Sequence, residues 1–262
     1  MTVFEKYGYT APAESVPQQR IADKLDEYLS RRDDAGAERH LLYWLEEARQ
    51  GGDRRGELFV CNELIGHYRK NNRRDEAFRF SERALALLNE LGLRSGVTAG
   101  TTLVNAATAC SAFEEYERAL ALFRAARTAY ESGPEPAPNL LGGLYNNMAL
   151  ACKELGRYEE AYELYEMAMN KMAEVPGGAL EQAITCLNVA DTVAAELGSE
   201  AGEQRIAELL DRAYALLQDE SAPRDGYYAF VCEKCAPGFS YYGYFAAAEE
   251  LRQTAERIYE RN

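Results

Sequence analysis

Three asparagines stand at nearly equal intervals in this chain: Asn105, Asn147 forty-two residues on, and Asn188 a further forty-one. A carboxamide carries a donor and an acceptor on one planar group, so it can pair with the N–H and C=O of a peptide backbone together. A row of such groups at one interval suits an extended peptide. The same groups could instead bond neighbouring helices and only hold a stack together, and the sequence leaves both readings open. The matching position upstream holds Glu63, with Asn62 beside it. Arg69 and Lys70 follow at helical spacing and are candidate cationic anchors for a ligand carboxylate. Counted from the asparagines along a helix, Thr108, Lys153 and Asp191 share their face.

Other chemistry has little material. There are two histidines, His40 and His67, too few for a histidine-based metal site or triad. No Walker loop, Gly-x-Gly-x-x-Gly, Gly-x-Ser-x-Gly or His-Glu-x-x-His is present. Six cysteines fall at 61, 110, 152, 186, 232 and 235, most in apolar helical contexts that suit small buried thiols in a reducing compartment. Cys232-x-x-Cys235 has no second pair and no histidine company, so it makes a poor metal or redox motif. The expectation is a non-enzymatic protein with no catalytic residues, no metal and no cofactor.

The elements that position the asparagines repeat. Ala77/Ala84, Ala119/Ala126 and Ala161/Ala168 are pairs seven residues apart, hence on one helix face, and successive pairs are separated by 42 residues. Leu41/Ala48, Ile206/Ala213 and Ala248/Ala255 extend the series at similar steps. The clearest copy runs from Leu144 to Ala168. Apolar residues recur at helical spacing on both sides of Gly156-Arg157, where glycine suits a left-handed helix end. Tyr158-Glu159-Glu160-Ala161 then opens a second helix with acids in its first turn.

These residues resemble the tetratricopeptide repeat, with its Gly-x-Tyr-x-x-Ala joint and small residues seven apart. The resemblance covers about 20–262. A period near 42 is similar to the long-helix variant of kinesin light chains and bacterial peptide-sensing regulators. It implies an all-α fold, a right-handed α-α superhelix of about six antiparallel helix pairs at 17–50, 56–92, 97–131, 139–175, 178–218 and 225–261, read as one domain after an N-terminal arm at 1–16. The arm carries Phe4, Tyr7 and Tyr9, and could lie in the groove as an intramolecular ligand. The Pro-rich stretch 133–138 is the candidate linker, and Pro237 is expected to kink or end a helix. Extra residues near Gly198–Gly202 disturb one copy. In peptide-binding members of the family, asparagines at these positions face a concave groove and clamp ligand backbone. By that resemblance the peptide-binding set is Asn62, Arg69, Lys70, Asn105, Thr108, Asn147, Lys153, Asn188 and Asp191.

The 262 residues are 47% hydrophobic, enough for a packed core, and carry a net charge of −14, which disfavours a nucleic-acid partner. Nothing resembles a membrane span or a signal-peptide core, so the chain reads as cytoplasmic. Charge is uneven: residues 57–94 hold seven basic and six acidic residues, residues 181–220 two and nine. A ligand with one acidic and one basic end fits that gradient. The functional expectation is an adaptor or scaffold that binds a protein or peptide partner, of which a signalling-peptide receptor is a subclass. The alternative is a self-association scaffold, a homo-oligomer using its convex face or the Tyr- and Phe-rich segment 227–245.

Overall fold

The fold is that of a computed structural model, which describes residues 15–133, 138–219 and 222–261. The aromatic residues of the arm and the core of the Pro-rich linker, 134–137, lie outside the described residues. Among the described residues there are helices and no strands. In chain order they are α1 (Gln18–Ser30), α2 (Asp34–Gln50), α3 (Arg54–Lys70), α4 (Arg74–Glu90), α5 (Val97–Ala112), α6 (Tyr116–Glu131), α7 (Pro138–Glu154), α8 (Tyr158–Ala173), α9 (Ala179–Leu197), α10 (Glu203–Leu217), α11 (Gly226–Tyr241) and α12 (Phe245–Tyr259). They form six consecutive pairs, each packed helix on helix. The pair boundaries fall within two residues of those expected from the sequence. The chain divides into two compact units, Met1–Gly133 and Pro134–Asn262.

Alanine makes the pairing close. Ala77, Ala84, Ala119, Ala126, Ala161, Ala168, Ala213 and Ala248 are completely buried. A methyl side chain at these positions lets one helix approach its partner, and the larger neighbours then fill the layer. In the first unit these include Leu41, Leu64, Ile65, Tyr68 and Leu87; in the second, Leu187, Leu210, Val231 and Phe239. Successive first helices also pack on one another: α3 on α5 in the first unit, α7 on α9 and α9 on α11 in the second. The first helices therefore form a layer of their own within each unit.

One turn joins most helices. Three residues link the elements, and the middle one is left-handed at Arg32, Gly52, Asn72, Glu114, Gly156 and Gly243. The next residue returns its N–H five positions back, as Arg157 does to Cys152 at 2.9 Å and Tyr244 to Phe239 at 2.8 Å. These bonds cap helix carbonyls that would otherwise be orphaned. The fifth pair departs from the rule: α9 is 19 residues long, and Gly198–Gly202 take the place of the three-residue joint. Pro237 does not end its helix. α11 continues to Tyr241, and Pro237 and Glu233 both lie on its exposed face, where the carbonyl left without a donor can reach water.

A buried carboxylate ties α2, α3 and α4 together. Glu57 has 1% of its side chain exposed and accepts hydrogen bonds from Arg49 (3.0 Å), Arg54 (2.9 Å) and Arg83 (2.9 and 2.8 Å). Burial alone would raise its pKa, but the three guanidinium groups win and hold it at about 2. Among the described residues, no helix is long and apolar enough to cross a membrane.

Two tests follow from these features. Gly156→Ala, which forces a side chain into the left-handed turn, is expected to cost about 1 kcal/mol, whereas Glu114→Gly at the equivalent turn is expected to add about 0.5–1 kcal/mol. Urea denaturation measures both, and equal signs would contradict the turn assignment. Glu57→Gln is expected to cost about 2 kcal/mol at neutral pH, less than a fully dry ion pair because the arginines stay partly in water. Unfolded glutamate takes its proton near pH 4.3, so this stabilisation is complete above about pH 5 and is lost as pH falls toward 2. The gap between parent and Glu57→Gln should close over that window.

Candidate functional site

The first-helix layer carries the candidate site in each unit. In the first unit, Thr102 on α5 is fully buried, and its hydroxyl donates to the carbonyl of Thr98 one turn back at 2.9 Å. That leaves the oxygen free to accept, and Asn62 on α3 donates to it through Nδ2 at 3.0 Å. The oxygen of the Asn62 amide then accepts from Nδ2 of Asn105 at 3.1 Å. Asn62 and Asn105 are half-buried, and both line a cavity of about 400 Å³ together with Phe59, Glu63, Thr98 and Thr101.

The second unit builds the same chain of bonds. Thr185 on α9 is fully buried and donates to the carbonyl of Glu181 at 2.9 Å. Asn146 on α7, itself buried, donates to the Thr185 oxygen at 2.6 Å, and Asn188 donates to the Asn146 oxygen at 3.3 Å. The residues match one for one: Asn62 with Asn146, Thr102 with Thr185, Asn105 with Asn188. The station therefore recurs with a period of two helix pairs.

Residues 60–132 match the family model of the tetratricopeptide repeat. No curated protein matches the sequence. Among solved structures, the nearly identical TPR-like repeats assigned to a kinesin light chain of Podosopora anserina share 20% identity, with a TM-score of 0.53, over 78% of this chain and 96% of that one. NprR in complex with its cognate peptide NprX is 14% identical with a TM-score of 0.57, over 96% of this chain and 70% of that one. A Rap protein complexed with competence and sporulation factor is 12% identical with a TM-score of 0.56, over 98% and 78%. At these identities the likeness is one of fold: an all-α tetratricopeptide-like helical repeat.

The other sequence-derived candidates fall as follows on that repeat. Arg69 is half-buried near the C-terminal end of α3. Its Nε is buried without a hydrogen-bond partner, and burial lowers its pKa with no carboxylate to offset the effect. Ser111 holds a comparable place on α5, and its hydroxyl is likewise buried and unpartnered. Lys70 is exposed and borders a small cavity with Glu63, Gly66 and His67. Burial raises the pKa of Glu63 and lowers that of His67. Thr108 donates to the carbonyl of Asn105 at 2.9 Å. In the second unit, Lys153 pairs with Glu154 at 2.8 Å, and Asp191 is exposed and accepts from the hydroxyl of Tyr242, the residue that follows α11, at 2.8 Å. Asn147 is half-buried beside the station; the amide that meets Asn188 belongs to its neighbour Asn146.

Asn146, Thr102 and Thr185 were not singled out from the sequence. The signal available was Thr-x-x-Asn, one helical turn in span, at 102/105 and again at 185/188. The cysteines take no part. All six are buried and free, burial raises the Cys232 thiol and pushes Cys235 up to about 12, and no metal-ligating cluster occurs among the described residues. The aromatic C-terminal segment splits. Tyr228 and Phe239 are buried in the core, whereas Tyr227, Phe230, Tyr241 and Phe245 are exposed.

The station has a stability consequence. Asn146→Ala removes both the donor to Thr185 and the acceptor for Asn188, and is expected to cost about 1–3 kcal/mol. Asn147→Ala one residue along should cost under about 0.5 kcal/mol. Chemical denaturation of the two variants side by side checks the difference, and equal losses would contradict the assignment.

Proposed function

We propose that this chain is a non-enzymatic adaptor whose first-helix layer binds an extended peptide or protein segment, with an acidic group of that segment seated on Arg69. The observation that carries this reading is the state of Arg69. A half-buried guanidinium with a buried, unpartnered Nε is costly, and an incoming carboxylate would supply both the missing acceptor and the missing countercharge. The unpartnered Ser111 hydroxyl at the comparable place on α5 and the amide-lined cavity of about 400 Å³ in the same unit support it. So does the peptide or factor bound to two proteins of similar fold, NprR and Rap. Lys70 adds long-range attraction for an acid at the same end. Asn105 in the first unit and Asn188 in the second would meet ligand backbone, with Thr108 at the margin of the layer in the first unit and Asn147, Lys153 and Asp191 at its margin in the second.

The test is selection of a random-peptide display library on the purified protein. Enriched peptides should carry an acidic side chain or a terminal carboxylate. Their affinity should fall by about tenfold to a hundredfold in Arg69→Gln, the usual worth of a charge-assisted hydrogen bond, and should weaken as salt rises. Enriched peptides that bind Arg69→Gln as tightly as the parent would overturn the assignment of Arg69. A library from which nothing is enriched would overturn the peptide reading itself.

A further inference from the structure

We propose that Asn62 and Asn146 are positioning residues that fix the amide polarity of Asn105 and Asn188, so that each unit offers a ligand one carbonyl oxygen and one N–H of set orientation. This rests on the reading that the first-helix layer takes a peptide, and it names what reads the peptide's polarity.

The polarity originates at the buried threonines. A hydroxyl has a single hydrogen. Thr102 commits it to the Thr98 carbonyl, which can only accept, at 2.9 Å. Thr185 commits its hydrogen to the Glu181 carbonyl at the same distance. Each threonine oxygen can therefore serve its other neighbour only as an acceptor. Asn62 and Asn146 must turn their NH2 ends toward it, and their bonds of 3.0 and 2.6 Å do so. Turning the amide over would set a carbonyl oxygen against an oxygen with no hydrogen to give. With the NH2 end committed, the carbonyl ends of Asn62 and Asn146 face the next asparagine.

Asn105 and Asn188 are oriented by the same logic one step further. Each must bring its NH2 end to that carbonyl, and does so at 3.1 and 3.3 Å. One N–H of each is then engaged. The second N–H and the side-chain oxygen of both asparagines remain for a ligand, on half-buried residues, one of which lines the cavity in the first unit. Without the threonine, the terminal amide could present either end. With it, the oxygen is held ready for a peptide N–H, and a ligand that brings a carbonyl to that point is rejected by lone-pair repulsion. That the same three residue types take the same bonds in both units argues for a selected device.

Thr102→Val keeps the shape and removes the hydroxyl, at a buried site no ligand can touch; Thr102→Ser restores it. Peptides enriched on the parent should bind Thr102→Val about tenfold more weakly and Thr102→Ser nearly as well as the parent. N-methylation of the peptide, position by position, should find one N–H whose loss is costly in the parent and much less costly in Thr102→Val. Side-chain amide exchange by NMR supplies a readout without ligand. Asn62 should exchange slowly in the parent and faster in Thr102→Val, with Asn146 unchanged, and Thr185→Val should do the converse. Unchanged affinity and an unchanged N-methyl penalty in a folded Thr102→Val would overturn the proposal while leaving peptide binding intact. If the parent enriches no peptide, the binding reading fails and this inference with it, and amide exchange then shows whether the relay exists as structure alone.

Discussion

Close approach of two helices at paired alanines is the constraint on which the rest depends. Where a methyl group is the largest side chain at the crossing, helix backbones approach and the bulkier leucines, tyrosines and phenylalanines are pushed to the flanks, where they fill the space between successive pairs. First helices then stand against first helices in each unit. Polar residues on that layer have two fates. Those facing a neighbour must find a partner, because a buried amide or hydroxyl without one is costly. Those at its edge can keep a group for something else. The asparagine stations combine both: Asn62 and Asn146 are engaged at both ends, and Asn105 and Asn188 at one.

On the proposed function, the two uses of an asparagine at helical-repeat spacing, bonding between neighbouring helices and contact with a ligand, are divided among different residues. The inner asparagine and the threonine hold the layer and orient the outer amide, and the outer amide keeps an oxygen and an N–H. The two units also differ in how they treat charge. The first uses arginine, as in the cluster on Glu57. The second, acidic and poor in cations, ties carboxylates to tyrosine hydroxyls instead: Asp191 to Tyr242, Glu196 to Tyr162, Glu250 to Tyr214 and Glu181 to Tyr227. The unpartnered Nε of Arg69 contrasts with the Glu57 cluster in the same unit, where the buried carboxylate is matched by three guanidinium groups.

Helix pairing was legible in the sequence because the small-residue period and the turn chemistry agree. Ala161, Gly156 and Ala168 mark one pair, and the alanine pair recurs at 42-residue steps at Ala77/Ala84 and Ala119/Ala126. The left-handed conformation of the non-glycine residues Arg32, Asn72 and Glu114 was not legible, since there tertiary packing overrides local preference. The spacing of Asn105, Asn147 and Asn188 was legible, but the bond of Asn188 to Asn146 was not. Spacing along the chain reports which residues share a face. It does not report which residue of one helix meets which residue of the next, and that offset places Asn146 in the station. Pro237 does not end α11 because its lost hydrogen bond falls on the solvent side of the helix, where water can replace it.

The central claim is that the first-helix layer is the binding surface. The most direct measurement is the NMR footprint of a display-selected peptide titrated onto the isotopically labelled protein. The account predicts that the largest shifts fall on the side-chain amides of Asn105 and Asn188 and on residues around Arg69, with the exposed second-helix surfaces unchanged. Shifts confined to the second helices, or to Tyr241 and Phe245, with the asparagine amides unmoved, would contradict it.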